Sequence, residues 1–363
     1  GPLLLAALLF IPASVLVGIG ENFLGSFLPE IADEREMGRV SAIGFVMSYV
    51  GALILLGCVI LAALKLGMRD AAEWRPLFVF AGVWFLTGIL PSVFILRERA
   101  RPARASGLNR GTLVGAGFRR LADTLHHLRR FRELARFFGV FFVFSMGTQV
   151  FIYLSGVITR QLGFSTQDLF TVAIELTVLA GVGAVFTAKY QDSLGHRRTI
   201  MIFLAVWFVS MFGLAVMAFA GPTRPVFYLL AAGAGLGLGG LNTASRALVG
   251  VFTPEHKSGE FFGLWGMMFK LSGAVAMGAF IVLESVVESS PGLFLLVTSG
   301  FFGVGLVGML WVDERGGVAA AREAEREEAG LRGGTCPRCG YSTVGLALAD
   351  RCPECGAALL PPG

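Results

Sequence analysis

Two ionisable side chains lie inside long apolar segments of this 363-residue chain. Lys270 follows Glu260 by ten residues in FFGLWGMMFKLSGAVAMGAF, and Glu175 follows Asp168 by seven residues in TVAIELTVLA. Ser165 and Asp168 resemble a capping box that starts this second helix. A charge at the centre of a bilayer costs roughly 2.5–3.5 kcal/mol on insertion scales, so such residues usually face a bundle interior or a water-filled cavity. There an ammonium group could bind an anionic solute, and a carboxyl group could carry a proton. The alternative is a Glu175–Lys270 ion pair that only locks two helices.

Three further polar side chains could also contact a solute. Arg246 and Asn242 lie in LNTASRALVG, near the end of an apolar segment, and Gln149 lies inside another. Arg246 could be a gate residue, or its long side chain could reach the headgroup region. Gln149 could instead hydrogen-bond across a helix interface. The candidate substrate and coupling residues are therefore Lys270, Glu175, Gln149, Arg246 and Asn242.

Two CxxC pairs near the carboxyl end have the spacing of a metal site. They are separated by 12 residues in CPRCGYSTVGLALADRCPECG, and each pair can aim two thiolates at one point. Four protein ligands leave no open coordination position, so the motif predicts a structural Zn²⁺ site in a zinc-ribbon-like module over residues 336–359. Iron in a rubredoxin-like site is the alternative, although rubredoxins separate their pairs more widely. The predicted ligands are Cys336, Cys339, Cys352 and Cys355.

The composition indicates an integral membrane protein of the all-α class. The chain is 55% hydrophobic and only 15% charged, with a mean hydropathy of +0.72, whereas soluble domains have about 25% charged residues. Strands of a membrane β-barrel would alternate apolar with polar residues, and these segments do not. About nine spans of sufficient length are predicted near Leu3–Ile19, Val40–Leu64, Leu77–Leu96, Phe137–Ile158, Leu169–Tyr190, Ile200–Ala220, Val226–Val249, Phe261–Leu283 and Gly292–Trp311.

The distribution of basic residues predicts the orientation of the bundle. The connection over residues 97–136 is rich in arginine and contains a predicted amphipathic surface helix, so we place it in the cytoplasm. Alternation of the spans then places the carboxyl-terminal tail in the cytoplasm too. The connection with Lys65, Arg69 and Arg75 is the exception to this scheme. The net charge of +5 reflects such loops, and no nucleic-acid partner is expected.

The spans fall into two unequal sets around the basic connection. Residues 1–96 contain three predicted spans and residues 137–312 contain six, followed by a charged linker over residues 313–335. Two six-helix halves without the first three helices would explain this count, so we expect a truncated twelve-span bundle. A native nine-span protein is the alternative.

A glycine-rich run, GAGLGLGG at residues 233–240, contains a formal GxGxxG pattern. A dinucleotide site would need a preceding strand and a soluble crossover unit, and here the glycines interrupt a membrane span. We therefore interpret the run as a surface that lets helices approach closely or bend.

The segment YQDSLGHRRTI resembles the loop signature of the major facilitator superfamily. In that superfamily the loop is a gate latch whose aspartate pairs with a basic residue or a helix end while two helical halves rock. The resemblance implies this role for Asp192, Gly195, Arg197 and Arg198.

More narrowly, FLGSFLPEIA and SRALVGVFTPEHKSGEFFGLWGMMFKLSGAVAMG are similar to the vacuolar amino-acid effluxer-like, autophagy-related branch. The similarity covers roughly residues 3–312 and does not include the zinc module. Gly25 stands where the branch usually has Asn, and Met146 where relatives often have Asp, which leaves Glu175 as the candidate for a coupling proton.

These observations predict a secondary active transporter in the cytoplasmic membrane, which moves a small polar solute by alternating access. The family resemblance implies amino acids as the solute class. No enzyme is expected, because the sequence contains no nucleophile with a base, open metal site or phosphate loop. The alternative is a membrane-embedded sensor or scaffold whose zinc module binds a cytoplasmic protein partner.

Overall fold

The computed structural model describes residues 2–32, 36–67, 73, 75–95, 130–286, 290–333 and 355, and its regular structure within these ranges is helical. Two short 3₁₀ helices, Glu255–Lys257 and Met309–Trp311, flank the last two spans. The α-helices are α1 (Pro2–Ser26), α2 (Leu28–Ile31), α3 (Met37–Lys65), α4 (Arg75–Ile95), α5 (Arg132–Gln161), α6 (Thr166–Leu194), α7 (His196–Ala220), α8 (Arg224–Val251), α9 (Ser258–Val286), α10 (Pro291–Gly308) and α11 (Glu314–Gly333).

The predicted polytopic helical bundle is confirmed. Within the described ranges, eight helices, α3 to α10, are long and apolar enough to cross a membrane. Helix α1 lies outside this set of eight, but it covers the predicted first span, residues 3–19. We refer to α1–α4 as the first half and to α5–α10 as the second half. The arginine-rich end of the bundle is the end where α5 and α7 begin, near Arg132, Arg136, Arg197 and Arg198.

Aromatic side chains fill the core of the second half. The Trp207 indole of α7 stacks on Phe302 of α10 with ring centroids 4.7 Å apart, and Phe151 of α5 meets the same indole edge-on at 5.0 Å. Each such pair contributes about 0.5–1.5 kcal/mol beyond the area that it buries. Because lipid tails are as apolar as these side chains, such close packing is what holds α5, α7 and α10 together.

The glycine run of α8 lets three helices meet at very short separations. A Cβ atom on Gly239 would overlap the carbonyl oxygen of Ala180 in α6, and one on Gly183 of α6 would overlap the carbonyl oxygen of Leu236. On another side of α8, a Cβ on Gly237 would lie 2.5 Å from Trp207 of α7. The run therefore brings helices close together, as the sequence predicts, and α8 packs extensively on both α6 and α7.

The helices of the first half pack mainly on the second half. Helix α1 lies against α9, and α3 lies against both α6 and α8. Helix α4 makes only a small contact with α3 and leaves large side chains such as Phe78 and Phe94 exposed. The interface between the two halves is thus formed by α1 and α3 on one side and by α6, α8 and α9 on the other.

The segment predicted as a charged linker differs in the structure. Helix α11 packs with Ala321 and Ala324 buried, and Gly317 lies so close to Phe252, beyond the end of α8, that a Cβ atom would overlap the ring. The Asp313 N–H donates to Glu133 of α5 over 2.7 Å. Alanines and glycines on one face of α11 thus let it lie flat on the second half, which composition alone does not reveal.

Other domain boundaries also need adjustment or lie outside the described residues. Helix α5 begins at Arg132, five residues before the predicted start at 137, because Phe131 and Leu134 are buried against the bundle. Most of the predicted amphipathic helix of the basic connection, residues 118–129, lies outside the described part of the chain, and its last apolar residues, Phe131 and Leu134, are the ones buried against the bundle.

A capping box fixes the start of α6 at the end opposite the arginine-rich end. The Ser165 hydroxyl accepts from the Asp168 N–H, and Asp168 in turn accepts from the Ser165 N–H at 2.9 Å. Asp168 also accepts 2.8 Å from the Tyr228 hydroxyl of α8, and Arg224 lies 3.5 Å away. The capping box predicted from the sequence is therefore confirmed, and it also ties α6 to α8.

We predict that Gly239→Ala destabilises the protein, because the added methyl group would push α8 away from the Ala180 carbonyl. Overpacking of this kind costs roughly 1–3 kcal/mol. Thermal unfolding in detergent should show a midpoint several degrees lower. Gly278→Ala on α9 is the matched control, because a Cβ there meets nothing within 4 Å. A drop of equal size in both variants would show that close packing at Gly239 is unimportant.

Candidate gate between the two halves

Asp192, at the end of α6, connects the two halves at the arginine-rich end. Its carboxylate accepts from the Gly38 N–H at 2.9 Å and from the Arg39 N–H at 3.1 Å, both in the first turn of α3. The first N–H groups of a helix have no partner inside the helix and carry partial positive charge, so a carboxylate suits them well. A Cβ atom on Gly38 would overlap the Asp192 carboxylate. The predicted latch aspartate thus contacts a helix end of the opposite half.

The rest of the loop signature is bonded within the second half. Gly195 has a φ of 90°, a conformation that favours glycine, and it joins α6 directly to α7. Arg197 donates to the carbonyl of Met309 at 2.9 Å and to that of Leu310 at 3.0 Å, beyond the end of α10. Arg198 is exposed. Asp192 therefore faces the first half, while Arg197 anchors the loop to the second half.

Helix α11 also supports this loop. The Glu314 carboxylate accepts from the His196 N–H and from the Arg197 N–H, each at 2.9 Å, and so caps the start of α7. This capping residue was missed at the sequence level, because Glu314 lies 118 residues from its first partner. The loop after Asp192 is consequently held by hydrogen bonds from its backbone amides to the Glu314 side chain of α11.

Uncharged polar groups continue the contact between the halves next to Asp192. The Ser41 hydroxyl of α3 donates to the Thr243 carbonyl of α8 at 3.2 Å and so joins the halves, while Gln191 of α6 donates to the Ala244 carbonyl of α8 at 3.1 Å, within the second half. Ser41, Gln191 and Thr243 are all buried. The two halves are thus closed against each other at the arginine-rich end.

Arg246 extends from α8 into the contact between the halves. Its Nη2 group donates to the Leu24 carbonyl of α1 at 3.4 Å, and its guanidinium carbon lies 5.7 Å from the centre of the Phe45 ring of α3. Its Nε group is buried without a hydrogen-bond partner among the described residues. Arg246 therefore touches both first-half helices at this interface, and its side chain points into the protein rather than towards the headgroups.

Lys270 lies on the face of α9 that packs against α1. Three positions of α1, namely Gly18, Asn22 and Gly25, meet Lys270, Gly266 and Phe262 of α9 in antiparallel order. A Cβ atom on Gly18 would lie 3.0 Å from Cε of Lys270. The Lys270 side chain is exposed, and its ammonium group lies 5.9 Å from the Phe269 ring centre. Lys270 thus belongs to the interface between the halves.

The remaining candidate residues are not gathered around Lys270. The Gln149 amide, only 3% exposed, donates across the interface of α5 and α9 to the Phe269 carbonyl at 3.5 Å. Asn242 is half-buried one turn from Arg246 on α8. Glu175 is half-buried on α6, and its Oε2 atom has no hydrogen-bond partner among the described residues.

The sequence alternative of a Glu175–Lys270 ion pair is not found between these two described residues. Their helices have different neighbours: α6 packs on α3 and α8, whereas α9 packs on α1 and α5. The two side chains are thus separate candidates.

No group of three or more metal-binding side chains is found within the described ranges. Of the predicted zinc ligands, Cys336, Cys339 and Cys352 fall outside those ranges, and Cys355 is described alone in its segment. The zinc site stays a prediction.

Comparison with known proteins identifies the family. The family described as "Vacuole effluxer Atg22 like" matches residues 3–322. An uncharacterized MFS-type transporter, YxiO of Bacillus subtilis (strain 168), is 24% identical over 319 residues, which are 85% of this chain and 72% of that protein.

Fungal proteins match over a smaller part of their own length. Autophagy-related protein 22 of Saccharomyces cerevisiae (strain YJM789) is 24% identical over 287 residues, or 71% of this chain, which thus spans about half (53%) of the yeast protein. Autophagy-related protein 22 of Gibberella zeae is 25% identical over 284 residues, 72% of this chain and 43% of its own. Because the family match covers most of the chain, this protein belongs to the Atg22-like family of transporter-type membrane proteins.

Proposed function

We propose that this protein is a secondary active transporter, which carries a small polar solute across the cytoplasmic membrane by alternating access. The observation that supports this most directly is the pair of hydrogen bonds that Asp192 accepts from the Gly38 and Arg39 amides, which joins the two halves at the arginine-rich end. Separation of these groups would open a path at the arginine-rich end. The family match supports a transporter as the general class.

The energy of the latch suits a reversible gate. A hydrogen bond to a charged group contributes about 1.5–3 kcal/mol, so the two bonds of Asp192 are strong enough to favour the closed arrangement and weak enough to break in each cycle. When the latch opens, water can solvate both the carboxylate and the amides of α3, because Asp192 is already exposed. Opening therefore leaves no buried group without a partner at this point.

The proposed solute path runs between α1 and α9. Lys270 is the charged group that an anionic solute, such as an amino-acid carboxylate, would meet there. Glu175 is the proposed proton carrier, since Met146 stands where relatives often have Asp. Gln149 and Asn242 would contribute amide contacts as the halves move. The description of the matching family, which names a vacuole effluxer, favours export of such solutes.

The tail is proposed to bind Zn²⁺ through Cys336, Cys339, Cys352 and Cys355. Support comes from the spacing of the two CxxC pairs. Helix α11 connects the bundle to this module and is packed on the second half. The module would therefore stand at the arginine-rich end, which we propose faces the cytoplasm, where a protein partner could reach it.

We predict that Asp192→Ala opens the latch, because it removes both acceptors of the Gly38 and Arg39 amides. Hydrogen exchange of the peptide over residues 36–45, measured by mass spectrometry in nanodiscs, should become roughly tenfold faster at these two amides. Ser193→Ala is the control, because the Ser193 hydroxyl bonds only locally, to the Tyr190 carbonyl. Equal protection in wild type and Asp192→Ala would contradict the latch.

We predict that Lys270→Ala abolishes transport without unfolding the protein, because it removes the cation from the proposed path. The measurement is a flux screen in proteoliposomes with radiolabelled amino acids, with and without a pH gradient. Lys189→Ala removes an exposed lysine next to Tyr190 and should leave the flux intact. Wild-type flux in Lys270→Ala would remove this residue from the mechanism.

We predict that the full chain binds one Zn²⁺ and that Cys336→Ser with Cys352→Ser releases it, as measured by elemental analysis of the purified protein.

Deletion of residues 332–363 leaves the packed part of α11 in place, so a transporter should keep its flux. Loss of flux together with loss of a captured cytoplasmic protein would instead favour the sensor or scaffold function.

A further inference from the structure

Arg246 has fewer partners than its charge requires. A guanidinium carries five N–H donors, and the hydrogen bond to Leu24 is long, at 3.4 Å. The Nε group is buried and has no hydrogen-bond partner among the described residues, and the nearby Phe45 ring offers only a weak attraction. A cation withdrawn from water needs a negative group nearby in each state of the protein.

Glu21 is the acidic group placed to compensate that charge. It lies on α1 one turn before Leu24, whose carbonyl Arg246 binds, and Gly25 on the same side of α1 is also close to the guanidinium. The Glu21 carboxylate lies within electrostatic range of Arg246. Glu21 is exposed, so water and small anions can reach it.

The position of Glu21 also relates it to Lys270. Along α1, a Cβ atom on Gly18 would lie 3.0 Å from Lys270 and one on Gly25 would lie 3.7 Å from Arg246, and Glu21 lies between these two positions. At 1.5 Å per residue, the whole stretch from Gly18 to Gly25 spans about 10 Å. The Lys270 and Arg246 cations are therefore close enough that an anionic group leaving one of them would reach the other after a short displacement.

We propose that Glu21 is the counter-charge of Arg246 in the closed gate, and that an anionic group of the solute replaces it when the gate opens. This inference rests on the proposed transport function and assigns a carboxylate or similar anion to its solute. When α1 moves away from α8, it takes Glu21 with it. Arg246 then requires another anion, and a solute that has passed Lys270 can supply one. A solute without a negative group would leave the guanidinium uncompensated.

The inference can be tested by chemical rescue with acetate. Glu21→Ala removes the carboxylate and leaves space for a small anion. Hydrogen exchange at the Gly38 and Arg39 amides, measured in nanodiscs at fixed pH, should become roughly tenfold faster, because the closed gate loses its counter-charge. Acetate should restore protection, whereas acetamide, which has nearly the same shape and no charge, should not.

Three controls complete the design. Glu323→Ala removes an exposed carboxylate of α11 and should change neither exchange nor its response to acetate. Glu21→Asp keeps the charge and should keep most of the protection. Glu21→Gln should open the latch like Glu21→Ala but resist rescue, because the amide fills the space. Peptides from the core of α5 and α7 report whether each variant is folded.

Two outcomes would overturn the inference: unchanged exchange in both Glu21→Ala and Glu21→Gln, or equal rescue by acetamide and acetate. The readout does not depend on flux. If the wild-type protein transports solutes and the Glu21 variants show unchanged exchange at the latch amides, only the counter-charge role of Glu21 is therefore disproved. An absence of flux for every solute tested would count against the proposed function alone.

Discussion

The contact between a carboxylate and the free amides of a helix start is the interaction on which the closed arrangement depends. Asp192 uses it to hold α3 of the first half, and Glu314 uses it to hold α7 within the second half. In both cases the donors belong to the backbone, and at Gly38 the contact also requires the absence of a side chain, because a Cβ atom there would overlap the Asp192 carboxylate. The same kind of contact thus joins the two halves at α3 and stabilises the second half at α7, within a few residues of each other.

These two contacts distinguish the bonds at the arginine-rich end that cross between the halves from those that lie within the second half. The Asp192 contact and the Ser41–Thr243 bond cross between halves, whereas Arg197 and Glu314 bind only groups that belong to the second half or to α11. Helix α11 therefore belongs structurally to the second half. Its role as a brace explains why a strongly charged segment is ordered here: its alanine and glycine face is buried and its charged face is free to meet water.

The sequence was sufficient for the elements and for contacts between near neighbours. The helices follow from apolar length, and the Ser165–Asp168 capping box follows from a three-residue spacing. The closeness of α8 to its neighbours follows from Gly239 and the glycines around it. The family resemblance identified Asp192 as the latch aspartate and predicted a basic residue or a helix end as its partner, and the structure shows a helix end.

Contacts between distant segments could not be found in this way. Asp192 is 154 residues from Gly38, and Arg246 is 222 residues from Leu24. Nothing in the local pattern around Gly38 distinguishes it from the many other glycines of the chain. The sequence around Glu21 likewise does not show that α8 lies beside it. Similarly, Glu175 and Lys270 share a depth but not a neighbour, which only the packing of α6 and α9 reveals.

The backbone contact between α6 and α8 has a mechanical consequence. Gly239 lies in backbone contact with Ala180, and the Asp168–Tyr228 bond joins the same two helices at the far end. Asp192 on α6 and Arg246 on α8 thus belong to one closely packed pair of helices. In the proposed transport cycle α6 and α8 would move together, so the Asp192 latch and the buried Arg246 cation would release α3 and α1 in one concerted step.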